Sequence, residues 1–300
     1  LNFKNVLDLA FERFLSERAK NRTEFVIIMI AITSFIVHLI LIGLVDFKLV
    51  DLNTSSKLLT NPIAAIYTPF SFILIYEVYL LIYYLPKSIT VYIGKQYEIM
   101  TLILIRRIFK DLAALELTPD WFAVRGDLVF TLDLLATLVL FFLIWVFYSL
   151  NPKREYEPAV KNSFSPRTAQ FIQMKNGIAV LLVPTFFLVA LFSLFQWIYR
   201  NFFVALSSVD KVTNINSIFF DRFFMILIMV DVLLLLVSFL RTDQFSKVIR
   251  NSGFVISTIL IKISFGTEGL LNTVLIVVAV LFGVTILAIH NRYARLEPTA

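Results

Sequence analysis

The chain has no cysteine, only 8 glycines and 2 histidines in 300 residues, and just 16% of its side chains are charged. Each scarcity removes a class of chemistry. Without cysteine there is no disulfide, no thiolate metal site and no catalytic thiol, and the redox compartment is left open. His38 and His290 lie at opposite ends of the chain, and the few glycines form no GxGxxG, GxSxG or Walker A pattern. The sequence therefore predicts no metal, no cofactor and no catalytic residue, and an enzyme is not the expected class. A potassium filter of the TVGYG type is also absent.

What the chain has in excess is apolar surface. Hydrophobic residues make up 59% of it and the mean hydropathy is +0.85, whereas a soluble domain is about 45–50% apolar and about 25% charged. Eight apolar runs, near 25–45, 64–85, 89–109, 127–149, 177–199, 218–239, 248–265 and 269–290, approach the length that crosses a bilayer as a helix. The expected fold is an all-α, polytopic helical membrane protein of eight transmembrane helices. The lipid bilayer is its first partner. The formal charge of +6 then reads as a topology signal and not as a nucleic-acid footprint.

Placing the N-terminus inside puts Lys87, the basic linker after residue 150, Lys247, Arg250, Arg292 and Arg295 on one side. That bias predicts a multi-pass protein of a plasma or inner membrane with both termini cytoplasmic. Arg106, Arg107, Lys110 and Arg125 run against it. Residues 1–24 place Phe3, Val6, Leu7, Ala10 and Phe14 at helical spacing with charges opposite, which predicts an amphipathic interfacial helix. The basic residues ahead of the first run suit a retained anchor better than a cleaved signal.

The expected organisation is a first four-helix unit over 25–150, a cytoplasmic linker over 151–176, a second four-helix unit over 177–290 and a tail over 291–300. The two units align weakly with one another: Glu77 falls on Asp231, Arg106 on Lys262 and Asp127 on Glu268. A duplication of this kind gives two parallel repeats about an axis along the membrane normal. In that alignment Lys95, Glu98 and Asp133 have the uncharged counterparts Asn251, Phe254 and Val274, so charge-based chemistry is expected in the first unit.

The third run carries Lys95, Glu98 and Arg106, an unusual load for a segment in lipid. A charge at the bilayer centre costs at least about 2.5–3.5 kcal/mol on insertion scales and is normally paired inside a bundle. The second and third runs are joined by a short turn near Pro86, so Glu77 and Lys95, equally far from it, are expected level with each other. Lys95, Glu98, Leu102 and Arg106 share one face by their spacing of three and four. The expected networks are Glu77, Lys95 and Glu98 at mid-membrane and Arg106 with Asp133 as an outer pair. Three acids to two bases leave one carboxylate, Glu98 or Glu77, as the expected proton or cation site.

Weaker candidates are His38, a packing histidine more often than a relay, and Asp231, which Ser257 and Thr258 could satisfy across the next hairpin. Asn272 and Lys262 read as interfacial, where long polar side chains reach water. An acid in the second span (Glu77), mixed charges in the third (Lys95, Glu98, Arg106) and an aspartate in the fourth (Asp133) make residues 25–150 similar to a voltage-sensor domain. No span repeats arginine or lysine at every third position, so no residue role is taken from that family. The expected function is an ion or proton permeation or transport pathway lined by these charges. The alternative is a non-catalytic membrane scaffold or subunit of a larger complex, as a homo-oligomer or with other membrane subunits, in which the ion pairs are structural.

Overall fold

A computed structural model of the chain describes residues 3–47, 65–112, 125–151, 166–199, 215–239, 245–267 and 269–296. Among these residues every regular element is an α-helix: α1 (Phe3–Leu15), α2 (Glu17–Asp46), α3 (Tyr67–Tyr84), α4 (Ile89–Leu112), α5 (Arg125–Leu150), α6 (Pro166–Tyr199), α7 (Ile215–Phe239), α8 (Phe245–Phe265) and α9 (Leu270–Leu296). Each apolar run of the sequence falls on one of α2 to α9. Among the described residues, five helical stretches are long and apolar enough to cross a membrane: Leu7–Asp46, which contains α2, and Gly126–Leu150, Gln170–Val189, Phe245–Phe265 and Leu270–Leu296. That number is smaller than the eight expected. The apolar part of α3 runs only from Thr68 to Tyr84, and α4 carries Lys95, Glu98, Arg106 and Arg107 within its length. These helices fit a multi-pass membrane protein. Residues 113–124 between α4 and α5, residues 152–165 before α6 and Glu268 lie outside the described residues, whereas Arg106, Arg107 and Lys110 fall on α4 and Arg125 opens α5.

Local chemistry sets several helix ends. The Ser16 hydroxyl accepts from the Ala19 amide at 3.2 Å, capping α2 and turning the chain out of α1. Pro166 is the first residue of α6, where a missing N–H costs nothing. Gly269, with φ of +66°, makes the turn into α9 in the left-handed region. Instead of standing apart from the bundle, α1 packs on α6, its Leu7 methyls 3.7–3.8 Å from where a Gly177 side chain would begin. Leu9 and Phe14 remain exposed.

The most extensive helix pair is α8 with α9. Small residues explain it: Gly253 and Ser257 on α8 face Ala279, Gly283 and Ile286 on α9, and Ser257 donates to the Ala279 carbonyl at 2.7 Å. In lipid, packing and interhelical hydrogen bonds hold helices together, and small side chains let both form. α4 lies against α5, α8 and α9. Its buried stripe, Tyr97, Met100, Leu104 and Ile108, recurs at helical spacing. The Tyr97 ring meets Phe147 of α5 edge-on at 5.2 Å, and Phe147 meets Phe254 of α8 at 5.9 Å. A helix carrying Lys95, Glu98, Arg106 and Arg107 thus packs against four others, α3, α5, α8 and α9. α2 packs mainly on α3 and keeps a broad apolar face outward.

Candidate functional site

Four polar centres surround α4. The first is a tie between α4, α5 and α9. Asp133 is fully buried and accepts from Arg107 twice, at 2.7 Å from Nε and 2.8 Å from Nη2. The Thr273 hydroxyl donates to the same carboxylate at 2.5 Å and accepts from Arg107 Nη2. Asn272 accepts from Arg107 Nη1 at 2.7 Å and donates to the Ser264 carbonyl at 2.5 Å. A fork-on-carboxylate pair with its remaining valences filled is the arrangement in which a buried charge pair is best tolerated.

This tie corrects the expected outer pair: Asp133 is held by Arg107, not Arg106. One residue is a 100° turn of the helix. Arg107, three residues past Leu104, flanks the buried stripe and stays partly exposed while reaching α5 and α9, whereas Arg106 is buried and turns toward Glu77 of α3. Asn272, read as interfacial, is buried here, and the tie takes two of its members from the second half of the chain.

The second centre is Glu77 on α3. Only 4% of this residue is exposed, and its Oε2 has no hydrogen-bond partner among the described residues. Its carboxylate feels the charge of Arg106 on α4. The expected partner was Lys95, level with Glu77 across the hairpin. Side chains, however, lean toward the N-terminus of their own helix. In an antiparallel pair Glu77 leans away from the turn while Lys95 leans toward it, and Arg106 leans back down α4 to meet the acid. Backbone levels alone miss that offset.

Lys95 forms the third centre with its own helix neighbour. Its Nζ is 2.6 Å from Glu98 Oε2, and the other carboxylate oxygen accepts from the Tyr148 hydroxyl of α5. The ammonium also lies 5.3 Å from the centre of the Tyr84 ring, nearer the turn. The pair is partly exposed, as is Leu102 on the same face, so this flank of α4 is the less covered one. Counting Arg107, acids and bases balance, and the surplus carboxylate of the sequence reading disappears.

The fourth centre lies between α4 and the second half. Asp231 of α7 is 6% exposed and accepts from Gln96 Nε2 at 3.3 Å. Gln96 Oε1 in turn accepts from Thr258 at 2.9 Å. Thr258 therefore reaches Asp231 only through an amide. Ser257 is engaged elsewhere: it accepts from Tyr97 at 2.8 Å while donating to Ala279. The Tyr92 hydroxyl, also buried, lies near Asp231 and Gln96 without an ordinary hydrogen bond to either. Lys175 of α6 is the cation that Asp231 feels, and its ammonium donates to the Lys87 carbonyl. Sequence reading missed Gln96 and Lys175 because neither stands out on its own helix. Asp231 and Lys175 thus bury charge in the second half as well, beside the charges of the first unit, where the charge-based chemistry is expected.

No protein-family model, curated protein or solved structure matches the chain. The site must be read from its own chemistry. Among the described residues no cluster of His, Cys, Asp or Glu could hold a metal ion. His38 is bonded through Nδ1 to the Thr68 hydroxyl at 2.5 Å and joins α2 to α3.

Proposed function

We propose that this protein is a membrane transport protein that passes a proton or small ion through its first four-helix unit. In this reading eight helices span the bilayer as two parallel units of four, with both termini cytoplasmic. Glu77 is the exchanging carboxylate, Arg106 its counter-charge, and Lys95 with Glu98 the charged flank through which water and ions approach. Asp133 holds the helices in place. The observation that carries the reading is the Oε2 of Glu77, buried on the apolar helix α3 and without a hydrogen-bond partner among the described residues. A buried acceptor without a donor is costly unless something else occupies it part of the time, and intramembrane acids of this kind usually serve ion or proton movement.

The test is flux in proteoliposomes under a potassium diffusion potential, with a trapped pH dye for protons and a trapped cation dye for sodium. Wild-type protein is expected to carry one of the two. Glu77→Gln is expected to lower that flux about tenfold or more, the loss of an obligatory intramembrane ionisable group, with helicity and elution unchanged. Should Glu77→Gln disturb assembly, Lys95→Met with Glu98→Gln on the partly exposed flank gives the second arm. Undiminished flux in well-folded variants, or none in the wild type, ends the reading.

A scaffold reading is favoured by one feature, the saturation of the Arg107–Asp133 tie. In that case no flux exists to lose, and the Glu77 variant should fail instead in assembly with other membrane subunits or with a second copy.

A further inference from the structure

A cavity of about 430 Å³ lies where the α3–α4 turn, the C-terminal half of α7 and the first turns of α8 come together beside α6. Among the described residues its charged lining is Lys175, Lys247, Arg250 and Asp231. Lys175 and Asp231 both lie in its buried part and attract each other without forming an ion-pair contact, so their charges offset. The two charges left toward the mouth are both positive. The Arg250 guanidinium is positioned by the Asn251 side-chain oxygen at 3.3 Å and by His290 Nε2 at 3.4 Å. Asn251 in turn donates to Ser238 at 2.9 Å. The second His290 nitrogen meets the Ser246 carbonyl at 2.9 Å and must be the donor there, which leaves Nε2 to accept from Arg250.

Three further features give this cavity the character of an anion site. α4 and α8 both begin at it, with Ser88 and Ile89 from one helix start and Lys247 from the other in its wall. Helix starts direct unsatisfied amides and a partial positive charge outward. Tyr92 also lines the cavity, buried, with its hydroxyl beside Asp231 and Gln96 and no hydrogen bond of ordinary geometry among the described residues. The remaining wall is apolar, including Leu85, Leu234 and Phe254. The volume lies in the range of about 300–1,000 Å³ typical of small-molecule sites, well beyond a bare phosphate ion.

We propose that this cavity binds an amphiphilic phosphate, its anionic group held by Lys247 and Arg250 at the mouth and its apolar body resting on Ile89, Phe171 and Leu234. A planar guanidinium beside an ammonium and helix N-termini is the donor set suited to phosphate oxygens. The same chemistry is offered by an anionic lipid headgroup and by a soluble phosphate ester. Binding is measured in detergent without any flux, so its outcome is independent of the transport reading.

The experiment is titration of the purified full chain with dihexanoyl phosphatidic acid, with glycerol 3-phosphate and with neutral dihexanoyl phosphatidylcholine. Phosphatidic acid is expected to bind and the neutral lipid to bind at least about tenfold more weakly, as loss of charge-assisted contacts implies. Lys247→Gln with Arg250→Gln should weaken phosphatidic acid by a similar factor. Asp231→Asn removes the one carboxylate and should bind as well or better, the opposite of what general damage would do. Equal binding of glycerol 3-phosphate identifies a soluble ester as the source, and its failure identifies lipid. Equal affinity for the charged and neutral lipids, unchanged affinity in the double variant, or no binding of either phosphate probe overturns the proposal.

Discussion

Replacing Asp133 by alanine is expected to be the most damaging single change to this bundle, at about 3 kcal/mol. That is the lower end of the about 3–5 kcal/mol seen when one partner of a buried charge pair is removed, because the Arg107 side chain keeps 28% exposure and can recover some solvation. The substitution leaves the guanidinium without its counter-charge and the Thr273 hydroxyl without its acceptor. Replacing both members by apolar residues of similar size, Arg107→Met with Asp133→Leu, should return much of the loss, since the pair's own desolvation cost disappears with it. Unfolding of the micellar protein, followed by its helical signal, measures both. A single variant as stable as the wild type would mean that Asp133 is not the tie holding α4 to α5 and α9.

The second large effect is expected at Gly283. A β-carbon there would sit 2.8 Å from Tyr97 Cζ and 3.3 Å from Ser257 Oγ, and closer still to the Tyr97 hydroxyl. Tyr97 cannot swing aside, being fully buried, held edge-on by Phe147 and hydrogen-bonded to Ser257. Gly283→Ala should therefore cost about 1–3 kcal/mol by overpacking. In a Tyr97→Phe background the oxygen that collides is gone, and the penalty should shrink by about 0.5 kcal/mol or more, a coupling of the size seen for contacting residues. Equal penalties in both backgrounds would place the strain elsewhere in the α8–α9 contact.

The cavity and the bare Glu77 carboxylate draw on one architectural fact: α4 is charged yet central. An apolar α4 in that position could be packed by any neighbour. A charged one needs partners at particular rotations and heights, and it finds them on α3, α5, α7 and α9. Stability and any transport role are thus concentrated on the same helix. Neutralisation at Glu77 and at Asp133 is accordingly expected to separate the two, the first acting on flux and the second on assembly.

Much was legible without coordinates. Composition and run length dictate a helical protein built for lipid, and the unusual charge on 89–109 marks the segment on which the interior turns. The short turn near Pro86 and the internal position of Asp133 also follow from pattern alone. What sequence could not decide was which charge meets which. Arg106 and Arg107 differ only by a 100° rotation, and Glu77 misses Lys95 because antiparallel side chains lean apart. Thr273, Asn272 and Gln96 complete their networks with residues more than a hundred positions away, and such partners leave no local periodicity to read. Hydrophobic patterning is set by the solvent each residue must face, so it is written along the chain. Pairing is set by helix rotation and side-chain direction in three dimensions, and only the packed bundle fixes those.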